Sequence, residues 1–187
     1  MKNRSLYSRD EMLKMNVDTL EKRGIYVKDI AEVAYAQQSK WSKDISLQDC
    51  IASVEKILSL RDTFHILQLG AEIDRLTEDN LIQEPLRTIL HEDLGLFGID
   101  ELFGLEIAGL YGTIGKTNFG DIDVNKPLIV GRLNHDGKGS SEACHTFMDD
   151  IVGAIAAAAS TRVAQMANEE EARKDPMYKE IKFDFDN

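Results

Sequence analysis

Basic residues are scarce. The chain of 187 residues carries 22 Lys+Arg against 33 Asp+Glu, a formal net charge of -11, and nowhere gathers its cations into a patch. Such a surface repels a phosphate backbone, so no nucleic acid is expected as a partner. There are only two cysteines, Cys50 and Cys144, and their spacing fits neither a metal-ligand nor a redox motif. Reduced thiols in a cytosol are the expectation, and a disulfide between them is not implied. Long apolar runs are also missing: nothing approaches the ~20 apolar residues that cross a bilayer. The opening MKNRSLYSRDEM lacks the apolar core of a signal peptide. A soluble, cytoplasmic protein is expected, with any membrane contact peripheral. No solenoid repeat, low-complexity tract or linker divides the chain.

Sustained alternation of apolar and polar residues is absent too, which leaves little room for strands. What is there is helix after helix. Ser8 with Glu11 reads as a capping box, Leu13, Val17 and Leu20 form a stripe, and Gly24 is a stop. A second helix is predicted over about 27–38. A third begins at Ser46 with Ile51, Val54, Ile57 and Leu58 inward, and a fourth covers roughly 63–76. Pro85 opens a short fifth helix that ends near Gly95. Trp41, Phe64, Phe103 and Phe147 are expected in the core. Overall the pattern predicts an all-α, single-domain helical bundle over 1–168, followed by a polar, partly ordered tail over 169–187.

Glycines concentrate between 95 and 139, and Gly104 and Gly109 fall inside a helical pattern. Glycine there costs about 1 kcal/mol relative to alanine, so close helix contact is the physical reason for it. The segment HTFMDDIVGAIAAAAS, 145–160, takes this further. With so little side-chain bulk, neighbours can approach its backbone on every side, which predicts a central helix surrounded by the others.

That helix opens on two acids, Asp149 and Asp150. First-turn carboxylates are favoured by the helix dipole by about 0.3–1 kcal/mol, and this alone can explain such a pair. Adjacent residues also diverge by about 100° on a helix, so one acid is expected to aim inward while the other flanks it. A second pair, Asp100 and Glu101, likewise opens an apolar, glycine-bearing helix. Asp123 precedes Lys126 and Pro127, and GRLNHDGKG, 131–139, places Arg132, His135 and Lys138 among glycines whose amides can cradle an anion. Carboxylates for a hard cation beside a basic glycine loop are the ingredients of magnesium-assisted phosphoryl chemistry.

Three segments in order, IDELFGLEIAGL (99–110), DVNKP (123–127) leading to Arg132, and GKG with FMDDIVGAIAAA (137–158), resemble the phosphatidylglycerophosphatase A family. The resemblance covers about 95–165, and its last segment is the most specific. It implies a magnesium-dependent enzyme that removes the terminal phosphate of phosphatidylglycerophosphate, with manganese as an alternative ion. It implies Asp149, Asp150, Asp123 and Lys126 as catalytic positions and Asp100, Glu101, Asp149 and Asp150 as metal ligands. Lys126, Arg132, Gly137, Lys138 and Gly139 are the implied phosphate contacts. Typical members span the membrane, whereas this chain starts with about ninety residues of polar-faced helices. The expected partner is therefore a lipid headgroup or a phosphorylated small molecule. The family's early Gly-Thr-Gly element has no counterpart, because GTIG (112–115) follows the Asp-Glu motif and does not precede it.

Weaker signals remain. His145, one turn before Asp149, can orient a carboxylate or move a proton, though a histidine near a helix start is more often a cap or surface group. A nucleophilic Cys144 would need a depressed pKa. VKDIAEVAYAQQ (27–38) has the look of the first helix of a helix-turn-helix, but the following helix offers only Lys56 and Arg61 as donors. The competing function is a non-catalytic helical interaction protein, a homo-oligomer whose acidic pairs serve as caps.

Overall fold

The computed structural model describes residues 6–42, 44–94, 98–136 and 143–174. Among them the regular structure is entirely helical: α1 (Arg9–Lys22), α2 (Val27–Gln38), α3 (Leu47–Leu58), α4 (Arg61–Glu78), α5 (Leu86–His91), α6 (Ile99–Gly109), α7 (Gly112–Asn125), α8 (Ile129–Asp136) and α9 (Met148–Lys174). The all-α expectation holds.

Local chemistry sets the early boundaries. The Glu11 amide donates to Ser8 Oγ at 3.3 Å, and the Ser8 amide donates back to Glu11 Oε2 at 2.7 Å, closing the capping box that starts α1. Ser46 and Asp49 repeat it at α3. Gly24 ends the first helical unit at φ +67°, a left-handed conformation that glycine adopts without a Cβ penalty.

The architecture centres on α9. It packs against α2, α3, α4, α6, α7 and α8, and every residue from Met148 to Thr161 is buried. A helix enclosed on all sides cannot be amphipathic, so small side chains replace a stripe. The surrounding helices use the space: Phe119 of α7 and Ile122 lie against Gly153. Gly70 of α4 leaves room for Ile151, and Gly104 of α6 for the Phe119 ring. Past Ala164 the helix leaves the core and stands in solvent through Lys174, six residues beyond the expected boundary at 168.

The aromatic expectation holds for Phe147 and Phe103 and is corrected for Phe64, which lies outside the core cluster, and for Trp41. Phe147 is buried and stacks against half-buried Phe103 at 5.1 Å, and Phe64 is half-buried against Tyr7, but Trp41 is 80% exposed. Trp41 sits just past the end of α2, on the rim of an open groove beside the exposed end of α9.

Candidate active site

The site forms where the first turn of α9 meets the end of α7. Pro127 cannot continue a helix and disfavours the right-handed conformation in the residue before it. Lys126 accordingly turns left-handed, at φ 43° and ψ 55°, with its amide still bonded to the Ile122 carbonyl at 2.8 Å. Leu128 follows at φ 51°. Such a strained pair of non-glycine residues marks a place the surroundings over-determine. Gly131 contributes to it, because a Cβ there would overlap the Lys126 carbonyl oxygen.

This turn sends the Lys126 ammonium among three carboxylates, 2.7 Å from Asp123 Oδ1, 3.0 Å from Asp149 Oδ2 and 3.5 Å from Asp150 Oδ1. Asp149 and Asp150 are 5% and 4% exposed. The expectation that only one of them faces inward is corrected: both reach the same cation. The 100° divergence about the axis remains, but the long Lys126 side chain ends between the two carboxylates, and α9 is enclosed, so neither direction leads to solvent.

Burial raises the pKa of both aspartates, and mutual repulsion raises that of Asp150 further; Lys126 acts against these effects at each. For Lys126 burial disfavours the charge, yet Asp149, Asp123 and Asp150 together outweigh it and hold its pKa above the ordinary lysine value. Asp100, in the first turn of α6, is 7% exposed. Its pKa is raised by burial and then by the charge of Asp93, and its own charge in turn raises the pKa of Asp150. Asp100 therefore belongs to the same electrostatic cluster as the α9 pair. Its sequence neighbour Glu101 is exposed, donating its amide to Asp100 Oδ1 at 3.0 Å.

The basic elements lie differently from the sequence reading. Residues 131–136 do not form a glycine loop but belong to α8, because Gly131 is tolerated there by the close approach just described. Arg132 is exposed on α8 and donates to the Gly24 carbonyl at 2.7 Å, fastening the end of the α1 unit. His135 is exposed in the last turn of α8. Gly137, Lys138 and Gly139 lie outside the described residues. His145 is half-buried beside Arg23, whose guanidinium lies 3.2 Å from Nδ1. Arginine only donates, so Nδ1 accepts and the proton is on Nε2. Burial and the Arg23 charge lower the His145 pKa, against Glu78 and Asp136. Burial and then Asp74 push the Cys144 thiol up to about 12, which leaves it unreactive.

Two acids escaped the sequence reading. Asp93, at φ 43°, contributes charge to both Asp149 and Asp100. An aspartate ahead of a glycine-rich stretch was the signal available. Asp74 is wholly buried in α4, and its carboxylate takes the amides of Phe147 and Met148 at the mouth of α9.

Among the described residues no three His, Cys, Asp or Glu side chains close on one point. A preformed all-protein cage of the kind a structural metal takes is not built here. Magnesium is usually held by one or two carboxylates, with water and substrate phosphate completing its octahedron. Hard oxygen donors, buried and destabilised by one another's charge, suit that ion.

The fold and site together define an all-α domain that gathers buried carboxylates at the mouth of its central helix, around a shared lysine. Residues 23–165 match the sequence model of the phosphatidylglycerophosphatase A family, and the chain belongs to that family. It is 43% identical over 152 residues to the uncharacterized protein YutG of Bacillus subtilis, covering 81% of this chain and 90% of that one. Among solved structures, ypjQ from Bacillus subtilis has a TM-score of 0.82 at 39% identity, covering 88% of this chain and 99% of its own. The low temperature requirement C protein from Listeria monocytogenes has a TM-score of 0.79 at 40% identity, covering 84% and 97%. Among the described residues no helix is long and apolar enough to cross a membrane.

Proposed function

We propose that this member of a phosphatase family is a magnesium-dependent enzyme that hydrolyses a phosphomonoester, either phosphatidylglycerophosphate or a water-soluble phosphate. The observation that carries the reading is the buried Asp149–Asp150 pair sharing Lys126. Asp149 and Asp150, with Asp100 and Glu101 at the edge, would hold magnesium or manganese, which when bound polarises a phosphoryl oxygen and lowers the pKa of water.

The chain's own groups do the rest. Lys126 has three ammonium donors and can turn one toward a phosphate oxygen while Asp123, at 2.7 Å, keeps the chain in place. Whichever of the clustered carboxylates is left off the metal is placed to take the proton of an attacking water at its carboxylate oxygen. Arg132, exposed and bound through Nη2 to the Gly24 carbonyl, is assigned to phosphate on sequence. Gly137, Lys138 and Gly139 are assigned to phosphate binding on sequence alone.

The test is phosphate release by the purified protein with magnesium or manganese, against phosphatidylglycerophosphate in mixed micelles and a panel of soluble phosphomonoesters. Release on at least one of them, lowered on the order of 100-fold or more by Asp149→Asn with the fold intact, is expected. No release from any substrate would favour the helical interaction protein, with Lys126 as a purely structural counter-charge. Equal release by Asp149→Asn would overturn the carboxylate mechanism.

A further inference from the structure

The amides that open a helix have no partner within it and need a cap. Within its own sequence α9 satisfies the Asp149 amide through the His145 carbonyl and the Asp150 amide through Asp149 Oδ1, but the Phe147 and Met148 amides turn elsewhere, and the Thr146 hydroxyl is committed to the Leu90 carbonyl. The cap comes from α4. Asp74 Oδ1 accepts from the Phe147 amide at 3.1 Å, and Oδ2 from the Met148 amide at 3.0 Å. One turn further along α4, Glu78 Oε1 accepts from the Cys144 amide at 2.8 Å. Arg23 binds the same Glu78 oxygen and holds the Cys144 carbonyl at 3.0 Å. The segment entering α9 is thus gripped by two carboxylates of one neighbouring helix, the nearer ending one residue before Asp149.

A cap supplied within a helix stabilises its first turn but leaves the helix free to rotate against its neighbours. One supplied across 73 positions of sequence ties the direction of that turn to another helix. α9 gains from this at its mouth, because Met148, Ile151 and Ile155 are its few large buried side chains and the alanines and glycine between them grip the neighbours weakly. We propose that Asp74 is a positioning residue for the active site: through the amides of Phe147 and Met148 it sets the angle at which Asp149 and Asp150 meet Lys126. This rests on the catalytic reading above.

The test compares Asp74→Leu, which keeps the volume and removes the acceptors, with Asp74→Asn. In the asparagine variant Oδ2 can serve both amides, lying 3.3 Å from that of Phe147 and 3.0 Å from that of Met148, once the NH2 that replaces Oδ1 turns from the Phe147 amide toward the Cys144 sulfur. For Asp74→Leu, hydrogen exchange at the amides of residues 147–150 is expected to rise on the order of tenfold while 154–161 stays protected. Its kcat per folded molecule should fall on the order of 100-fold, as for a misplacement of about 1 Å, with KM nearly unchanged. Asp74→Asn should restore most of both. If Asp74→Leu does not fold, Asp74→Ala, with room for a water at the two amides, is read the same way. Unchanged exchange, or faster exchange with unchanged kcat, overturns the proposal, as does a loss that Asp74→Asn fails to rescue. A wild-type protein that releases no phosphate removes the catalytic reading instead, and the exchange comparison then decides whether Asp74 fixes the turn.

Discussion

Lys126 is a single ammonium answering three carboxylates, two of them almost without solvent. Removing it leaves Asp149 and Asp150 to repel each other in a medium that hydrates them poorly. Deleting one partner of a buried ion pair costs about 3–5 kcal/mol; because Lys126 is itself 26% exposed, the loss for Lys126→Ala in metal-free protein belongs at or below about 3 kcal/mol. Urea unfolding measures it, and the gap should narrow on adding magnesium if the two cations answer the same charge. A stability unchanged by Lys126→Ala would mean that the acids are already neutral, and would remove the lysine from the electrostatic account.

At the scale of elements, glycine separates two kinds of position. A Cβ at Gly104 would overlap the buried Phe119 ring, so Gly104→Ala is expected to cost about 1–3 kcal/mol. At Gly120, on the outer face of α7, a Cβ would meet nothing within 4 Å, so Gly120→Ala should stabilise by about 0.5–1 kcal/mol through helix propensity alone. Denaturant midpoints of the two variants should move in opposite directions, and the packing argument fails if they move together. The same contrast explains what could be read in advance. The central place of α9 was legible because alanine and glycine at 153–159 exclude a one-sided burial. The acids, Asp123 and Lys126 were legible as a group because they lie at helix ends marked by glycine or proline. Asp74 was not: in AEIDRL an acid between apolar residues looks like any solvated helix position, and only the distant amides of 147 and 148 give it a reason to be buried. Nor was α8, since Gly131 and Gly137 imitate a loop when the close contact at Lys126 is unseen.

For the whole molecule, the charge of -11 bears on any metal experiment, because every added salt screens self-repulsion. A specific site behaves otherwise. Magnesium at about 100 times its Kd should add about 2.7 kcal/mol, a rise in Tm of roughly 5–10 °C for a domain of this size. Sodium chloride at equal ionic strength should give a smaller shift, and an equal one would reduce the magnesium effect to screening. The enclosure of α9 also bears on how the chain comes into being. Its hub follows α1 to α8 in the sequence. At about 5–20 residues per second of synthesis, the faces of α2 and α3 wait roughly 5–20 s, and that of α7 roughly 1–7 s, before 148–161 is made. The core of this domain therefore cannot close until 148–161 has been made, and the dependence of nascent chains on chaperones should fall abruptly as α9 emerges.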